Sequence, residues 1–126
     1  MQEKNFEVLF FTLPDGSCPI KDFLDSLNPK MQAKAYSLLE ILAESGSDLR
    51  EPYSKPLGDG IFELRVRIST DITRVLYFFY IGRRIIVTNG FVKKTQKTPK
   101  SEMEKAKKYR KLFEESMQGK EGKRPC

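Results

Sequence analysis

Six cationic side chains carry the chemistry that this chain can offer: Arg65, Arg67, Arg74, Lys93, Lys94 and Lys97. Arginine presents a planar fork that matches a phosphate, and lysine presents a compact point charge. Fixed cations can hold a phosphate, and they can also stabilise negative charge that builds on it during a reaction. An RNA phosphodiester brings its own nucleophile, the 2′-hydroxyl. An enzyme that cuts RNA therefore needs to align that group, stabilise the phosphorane and manage the protons. A lysine crowded by other cations has its ammonium form disfavoured and begins to act as a base. DNA lacks the internal nucleophile, so the same toolkit does not cut it in this way.

The stretch from Ile61 to Lys97 must position these groups, and it reads as three consecutive strands ending in a basic run. In the first, Ile61 to Ile68, Phe62, Leu64, Val66 and Ile68 share one side while Glu63, Arg65 and Arg67 share the other. The second, about Thr73 to Ile81, sets Val75, Tyr77 and Phe79 against Arg74, Leu76 and Phe78. The third, about Arg84 to Val92, is rich in β-branched residues and follows a tight Ile81-Gly82-Arg83 connection. If these strands are antiparallel neighbours, arginines from two of them stand on one face, with Lys93, Lys94 and Lys97 at its rim. Like charges on adjacent strands repel, so such a cluster points to an anionic partner or to one-sided solvation.

The preceding chain reads as a strand, Phe6 to Thr12, then a turn, then two helices. Pro19 opens the first helix, with Ile20, Phe23, Leu24 and Leu27 as its apolar stripe. Asn28-Pro29 caps the second, which runs to about Ser45 and stops at Gly46. Gly46 to Gly60 reads as a polar loop that contains Lys55, either a solvated lysine or a site residue just before the sheet. A last helix, about Pro99 to Ser116, is mostly charged, and 117–126 reads as a flexible tail. The order β-α-α-β-β-β-α predicts a single α+β domain over 1–116. It would be a twisted antiparallel sheet with an N-terminal helical hairpin and a C-terminal basic helix.

The chain of 126 residues carries a net charge of +6, and the excess is local. Through Val92 there are 11 basic and 12 acidic residues, whereas Lys93 to Lys111 holds nine basic and two acidic. A local basic stripe is the electrostatic footprint of a phosphate partner, or else a solvated lysine-rich helix. The chain has no histidine, which excludes histidine triads, histidine metal ligands and the commonest general base. Cys18 and Cys126 form neither a disulfide framework nor a metal-binding spacing, so no metal or cofactor is expected. The absence of a membrane-spanning window and of a signal-peptide pattern points to the cytoplasm.

Three segments together resemble a known family: Phe62-Glu63-Leu64-Arg65, Thr73-Arg74-Val75-Leu76-Tyr77, and Gly90 through Pro99, which reads GFVKKTQKTP. They look like the signature of the RelE/HigB superfamily of bacterial toxins, in its phage-derived HigB-like branch. The resemblance covers about Phe6 to Phe113. It implies the toxin of a type II toxin–antitoxin system, a ribosome-dependent mRNA endonuclease that uses 2′-hydroxyl attack without metal. The implied partners are mRNA, the ribosome and a helix-turn-helix antitoxin, in an oligomeric complex. By the same resemblance Arg74 clamps the scissile phosphate, Arg65 orients substrate or moves a proton, and Lys93 and Lys94 approach the phosphate or leaving oxygen. It also implies that Lys55 and Lys97 contact RNA phosphates or ribosomal RNA. Phe91 offers a stacking face or a core side chain, and Arg67 either joins the site or pairs with Glu63. Lys105, Lys107, Lys108 and Lys111 form a wet helix face or a phosphate rail. Two other classes stay open: a ParE-like toxin acting on a protein such as DNA gyrase, and a non-catalytic nucleic-acid-binding module.

Overall fold

Strict alternation of apolar and charged residues dictates the middle of the molecule, where a sheet is covered by helices on both faces. The computed structural model describes residues 5–92 and 97–123, with side chains described through Gln118. In chain order the elements are β1 (Glu7–Phe10), α1 (Pro19–Asp25), α2 (Pro29–Ser45), a 3-10 turn (Gly46–Asp48), β2 (Ser54–Gly58), β3 (Ile61–Ile68), β4 (Asp71–Tyr80), β5 (Arg84–Val92) and α3 (Lys100–Lys123). The five-stranded sheet has the order β1-β5-β4-β3-β2. The fold is α+β, as expected, with two departures in the sheet and one in the last helix.

The first departure is β2, which the proline and glycine of Ser54–Gly58 disguise as loop. It is an edge strand, so Pro56 can lack an N–H without breaking a ladder on its free side. The second is β1. All other pairs are antiparallel, but β1 runs parallel to β5, with Glu7 beside Arg84 and Phe10 beside Val87. No turn joins these two strands. The helical hairpin and three strands intervene, and such a long crossover permits parallel pairing. In the third, α3 continues to Lys123, past the expected end at Ser116. Lone glycines such as Gly119 weaken a helix without ending it.

α1 and α2 bury one sheet face. Ile20, Leu24, Leu38 and Leu42 pack on Leu64, Val66, Val75 and Tyr77. The Asn28 side chain accepts the Met31 N–H at 2.9 Å and so caps α2. Tyr77 stacks on Phe62, and its hydroxyl pairs with Ser54; burial raises its pKa above the usual value. α3 covers the other face. Met103 and Ala106 join Leu76, Ile61 and Phe91, while Tyr109 and Phe113 reach Phe11, Phe78 and Tyr80.

A bulge in β5 decides which residues meet on the α3 side. Leu76 pairs with Asn89 but Tyr77 pairs with Val87, so Thr88 is an extra residue. One extra residue reverses the alternation beyond it. Ile85 and Val87 therefore face the helical hairpin, whereas Asn89 and Phe91 face α3 beside Leu76 and Arg74. Gly90 is turned toward α1, where an added Cβ would lie 2.6 Å from the Phe23 ring.

Candidate nucleic-acid interface

Arg65 on β3 and Arg74 on β4 are direct cross-strand partners. Two like charges so placed repel, and the carboxylate that neutralises them comes from the same strand face. Glu63 is fully buried. Its Oε1 accepts from Arg74 Nη1 and, at 3.4 Å, from Arg65 Nε; its Oε2 accepts from the Thr98 hydroxyl at 2.7 Å. The expected alternative of an Arg67–Glu63 pair is corrected here. Arg67 is exposed near the end of β3, while Glu63 is taken by Arg74, diagonally across on β4, and by Arg65, two residues on.

Burial separates the two arginines into an inner and an outer member. The Arg74 side chain is 5% exposed and that of Arg65 24%. Burial lowers the Arg74 pKa, Glu63 opposes that shift, and the Arg65 and Arg67 charges reinforce it. The group nevertheless remains a guanidinium cation. The Nε of Arg74 is buried and has no hydrogen-bond partner among the described residues. A buried donor left unpaired is costly, and such orphans are uncommon in folded proteins.

Arg65 lines a cleft of about 320 Å³ between β2, β3 and the approach to α3, and Arg74 lies behind its wall, bonded to Glu63. Lys55 and Lys97 stand on its rim, Glu63, Arg65 and Thr98 line it, and Leu57 and Met103 supply its apolar wall. Lys55 is the cross-strand partner of Glu63, which puts it on the same face as the arginines. Contacts from α3 hold the cleft in shape. Asn89 donates to the Glu102 side chain at 3.0 Å, pinning the first turn of α3 to β5. Lys107 pairs with Asp59 at 2.8 Å and Arg110 donates to the Asp59 carbonyl, pinning the helix to the β2–β3 turn. The Lys107 bond holds the Asp59 carboxyl below its usual pKa.

Three of the expected site residues thus line one cleft, Lys55, Arg65 and Lys97, and Arg74 reaches it only through its bond to Glu63 and its pairing with Arg65. Arg67 lines a neighbouring pocket together with Arg65. Phe91 is 8% exposed under α3 beside Leu76 and Met103, so it is a core side chain and not an open stacking face. Lys93 and Lys94 lie outside the described residues. Glu63 and Thr98 are the members of the site that sequence reasoning missed. Their signal was faint: one acid among basic residues on a strand face, and a threonine in the basic run. Among the described residues, no group of three or more Cys, Asp and Glu side chains is gathered to hold a metal ion. No described helix is long and apolar enough to cross a membrane.

The family model described as "Phage derived protein Gp49-like (DUF891)" matches residues 22–111. The chain belongs to this Gp49-like family. No curated protein matches it. The Gp49-like family is associated with toxin–antitoxin systems and related to RelE/HigB-type toxins. The matched span begins in α1 and ends in α3, so the Gp49-like region contains the whole of β2 to β5 and every cleft residue named above. Membership is consistent with a toxin that has an antitoxin partner.

Proposed function

We propose that this chain is the toxin of a type II toxin–antitoxin pair, of the HigB-like branch, and that it cleaves mRNA on the ribosome in the cytoplasm. The observation that carries this reading is the opposed Arg65–Arg74 pair over a buried carboxylate that lines a cationic cleft, with the buried Arg74 Nε unpaired among the described residues. In the proposed reaction the ribose 2′-oxygen bonds to phosphorus while the bond to the 5′-oxygen breaks. The products are a 2′,3′-cyclic phosphate and a 5′-hydroxyl, and the proton lost by the 2′-hydroxyl is balanced by the one gained by the leaving oxygen. Arg65, the outer member, meets the phosphate first. Arg74 beneath it stabilises the extra charge of the phosphorane, where low dielectric strengthens the interaction. Lys55 and Lys97 hold flanking phosphates, and Lys93 and Lys94 keep the role the resemblance implies, at the phosphate or the leaving oxygen.

Inhibition of a cell-free translation extract by the purified chain tests the proposal. Arg74→Ala is expected to lower inhibition by about 100-fold or more, the usual loss when one transition-state donor is removed. Because that variant also strands Glu63, Arg74→Lys serves as its partner: it keeps the charge under Glu63 but loses the fork. Full inhibition by Arg74→Lys and by Arg65→Ala would overturn the assignment. Mapping of mRNA 5′ ends is expected to show cuts in phase with codons. Uncut mRNA with DNA damage would point instead to a protein target, and RNA binding without cuts to a non-catalytic module.

A further inference from the structure

Beside the cleft, across Arg65, lies a smaller pocket that the proposed chemistry does not use. It measures about 210 Å³ and is lined by Lys34 and Leu38 of α2, Pro52 and Tyr53 of the loop before β2, and Arg65 and Arg67 of β3. Three of these six residues are cationic, and no carboxylate lines the pocket. Tyr53 is 50% exposed, yet its backbone is fastened. Its N–H donates to the Arg50 carbonyl at 2.9 Å, and its carbonyl accepts the Arg65 N–H at 2.8 Å. The next residue, Ser54, is buried and bonded to the Tyr77 hydroxyl. A large aromatic ring is therefore presented to solvent from a fixed backbone, with Lys34 and Arg67 exposed around it.

An aromatic face ringed by cations is the arrangement that receives an unpaired nucleotide: the base stacks and the phosphate is neutralised. The volume lies below the roughly 300 Å³ at which pockets for whole small-molecule ligands begin, which suits one flat ring entering from a longer chain. Arg65 lines both this pocket and the cleft, so a strand whose phosphate sits at Arg65 passes directly into it.

We infer that Tyr53, Lys34 and Arg67 form a second nucleotide subsite, which stacks the base next to the scissile linkage of a single-stranded RNA. This rests on the RNA-cleaving reading above. The probe is a fluorescein-labelled RNA decamer of mixed sequence, 2′-O-methylated so that it binds but cannot be cut. Affinity is read by fluorescence anisotropy over a salt series. Tyr53→Ala is expected to weaken binding by about 5- to 100-fold, the range for loss of one base–aromatic stack, while Tyr53→Phe binds as the parent does. Lys34→Ala and Arg67→Ala are each expected to reduce the salt slope by about 0.7, the value for one single-strand phosphate contact.

Parent-like binding by Tyr53→Ala, or equal weakening by Tyr53→Phe, would overturn the subsite and leave the cleft reading standing. A parent chain with no salt-dependent affinity for the decamer would overturn the subsite too, whereas the cleft reading, which places cleavage on the ribosome, stands or falls on the translation extract. Loss of binding to a decaglutamate peptide, with RNA binding unchanged in Tyr53→Ala and Lys34→Ala, would reassign the surface to an acidic protein and end the proposal. Circular dichroism of each variant confirms that the fold is intact.

Discussion

At the scale of single residues, Glu63 governs how the arginines can be used. Buried ion pairs gain little over apolar replacements, but removing one partner leaves an uncompensated charge in a dry site. Glu63 serves Arg74, Arg65 and Thr98 at once. Glu63→Ala is therefore expected to lower unfolding stability by about 3–5 kcal/mol, measured by urea titration. Glu63→Gln keeps an acceptor for Arg74 and the Thr98 hydroxyl, so its loss should be smaller. Parent-like stability in Glu63→Ala would mean that the two arginines tolerate each other without it. The same carboxylate makes activity assays of Arg74→Ala ambiguous when read alone, because that variant removes a catalytic candidate and a structural partner together. Arg74→Lys is informative for that reason.

At the scale of elements, the contact between α1 and β5 depends on a missing side chain. Gly90 sits against the Phe23 ring, and the Arg74 carbonyl lies 3.1 Å from where its Cβ would be. Gly90→Ala is expected to cost about 1–3 kcal/mol by overpacking. Phe23→Leu in the same chain should recover part of that loss, as a double-mutant cycle in urea would show. The glycine of the GFVKKTQKTP segment thus has a packing role in addition to any role in catalysis.

Much of this level was legible beforehand. The alternation of Ile61 to Ile68 marked β3 and its polar face, and Asn28-Pro29 and Gly46 marked the ends of α2. That arginines of two antiparallel strands share one face followed from the same alternation, but the register that sets Arg65 opposite Arg74 did not. What stayed hidden depends on neighbours that periodicity does not name. Ser54–Gly58 is a strand only because it lies at an edge that accepts Pro56. Thr88 is a bulge only because β4 holds a different register on either side of it, and that shift buries Phe91 beneath α3. Tyr53 looked like an unremarked loop residue because its fixed backbone comes from bonds to Arg50 and Arg65.

At the scale of the whole molecule, the two outer strands close the sheet in different ways. β2 is bounded by the short turn to β3, whereas β1 is placed by side chains and by a partner far along the chain. Phe6 packs edge-on to Phe79, its N–H bonds the Ala43 carbonyl at 2.8 Å, and the Phe11 N–H bonds the Val87 carbonyl at 2.9 Å. Removing residues 1–11 would strip these anchors and bare the edge of β5, an invitation to intermolecular pairing. Such a truncated chain is expected to lose its cooperative thermal transition by circular dichroism and to scatter light on heating. A sharp, parent-like transition would show that β1 is an accessory to the fold.

The seat of that first strand has a consequence for biosynthesis. Glu7–Phe10 leaves the ribosome early, yet its berth along Arg84–Val87 is translated only after both hairpin helices and three further strands. Pairings so distant along the chain form late, since the intervening loop must close first. On the proposed reading, a polypeptide that attacks translating ribosomes acquires its finished shape only when most of it has emerged. A waiting antitoxin can then meet it as it matures, and the ribosome that built it is spared until its own work is nearly done.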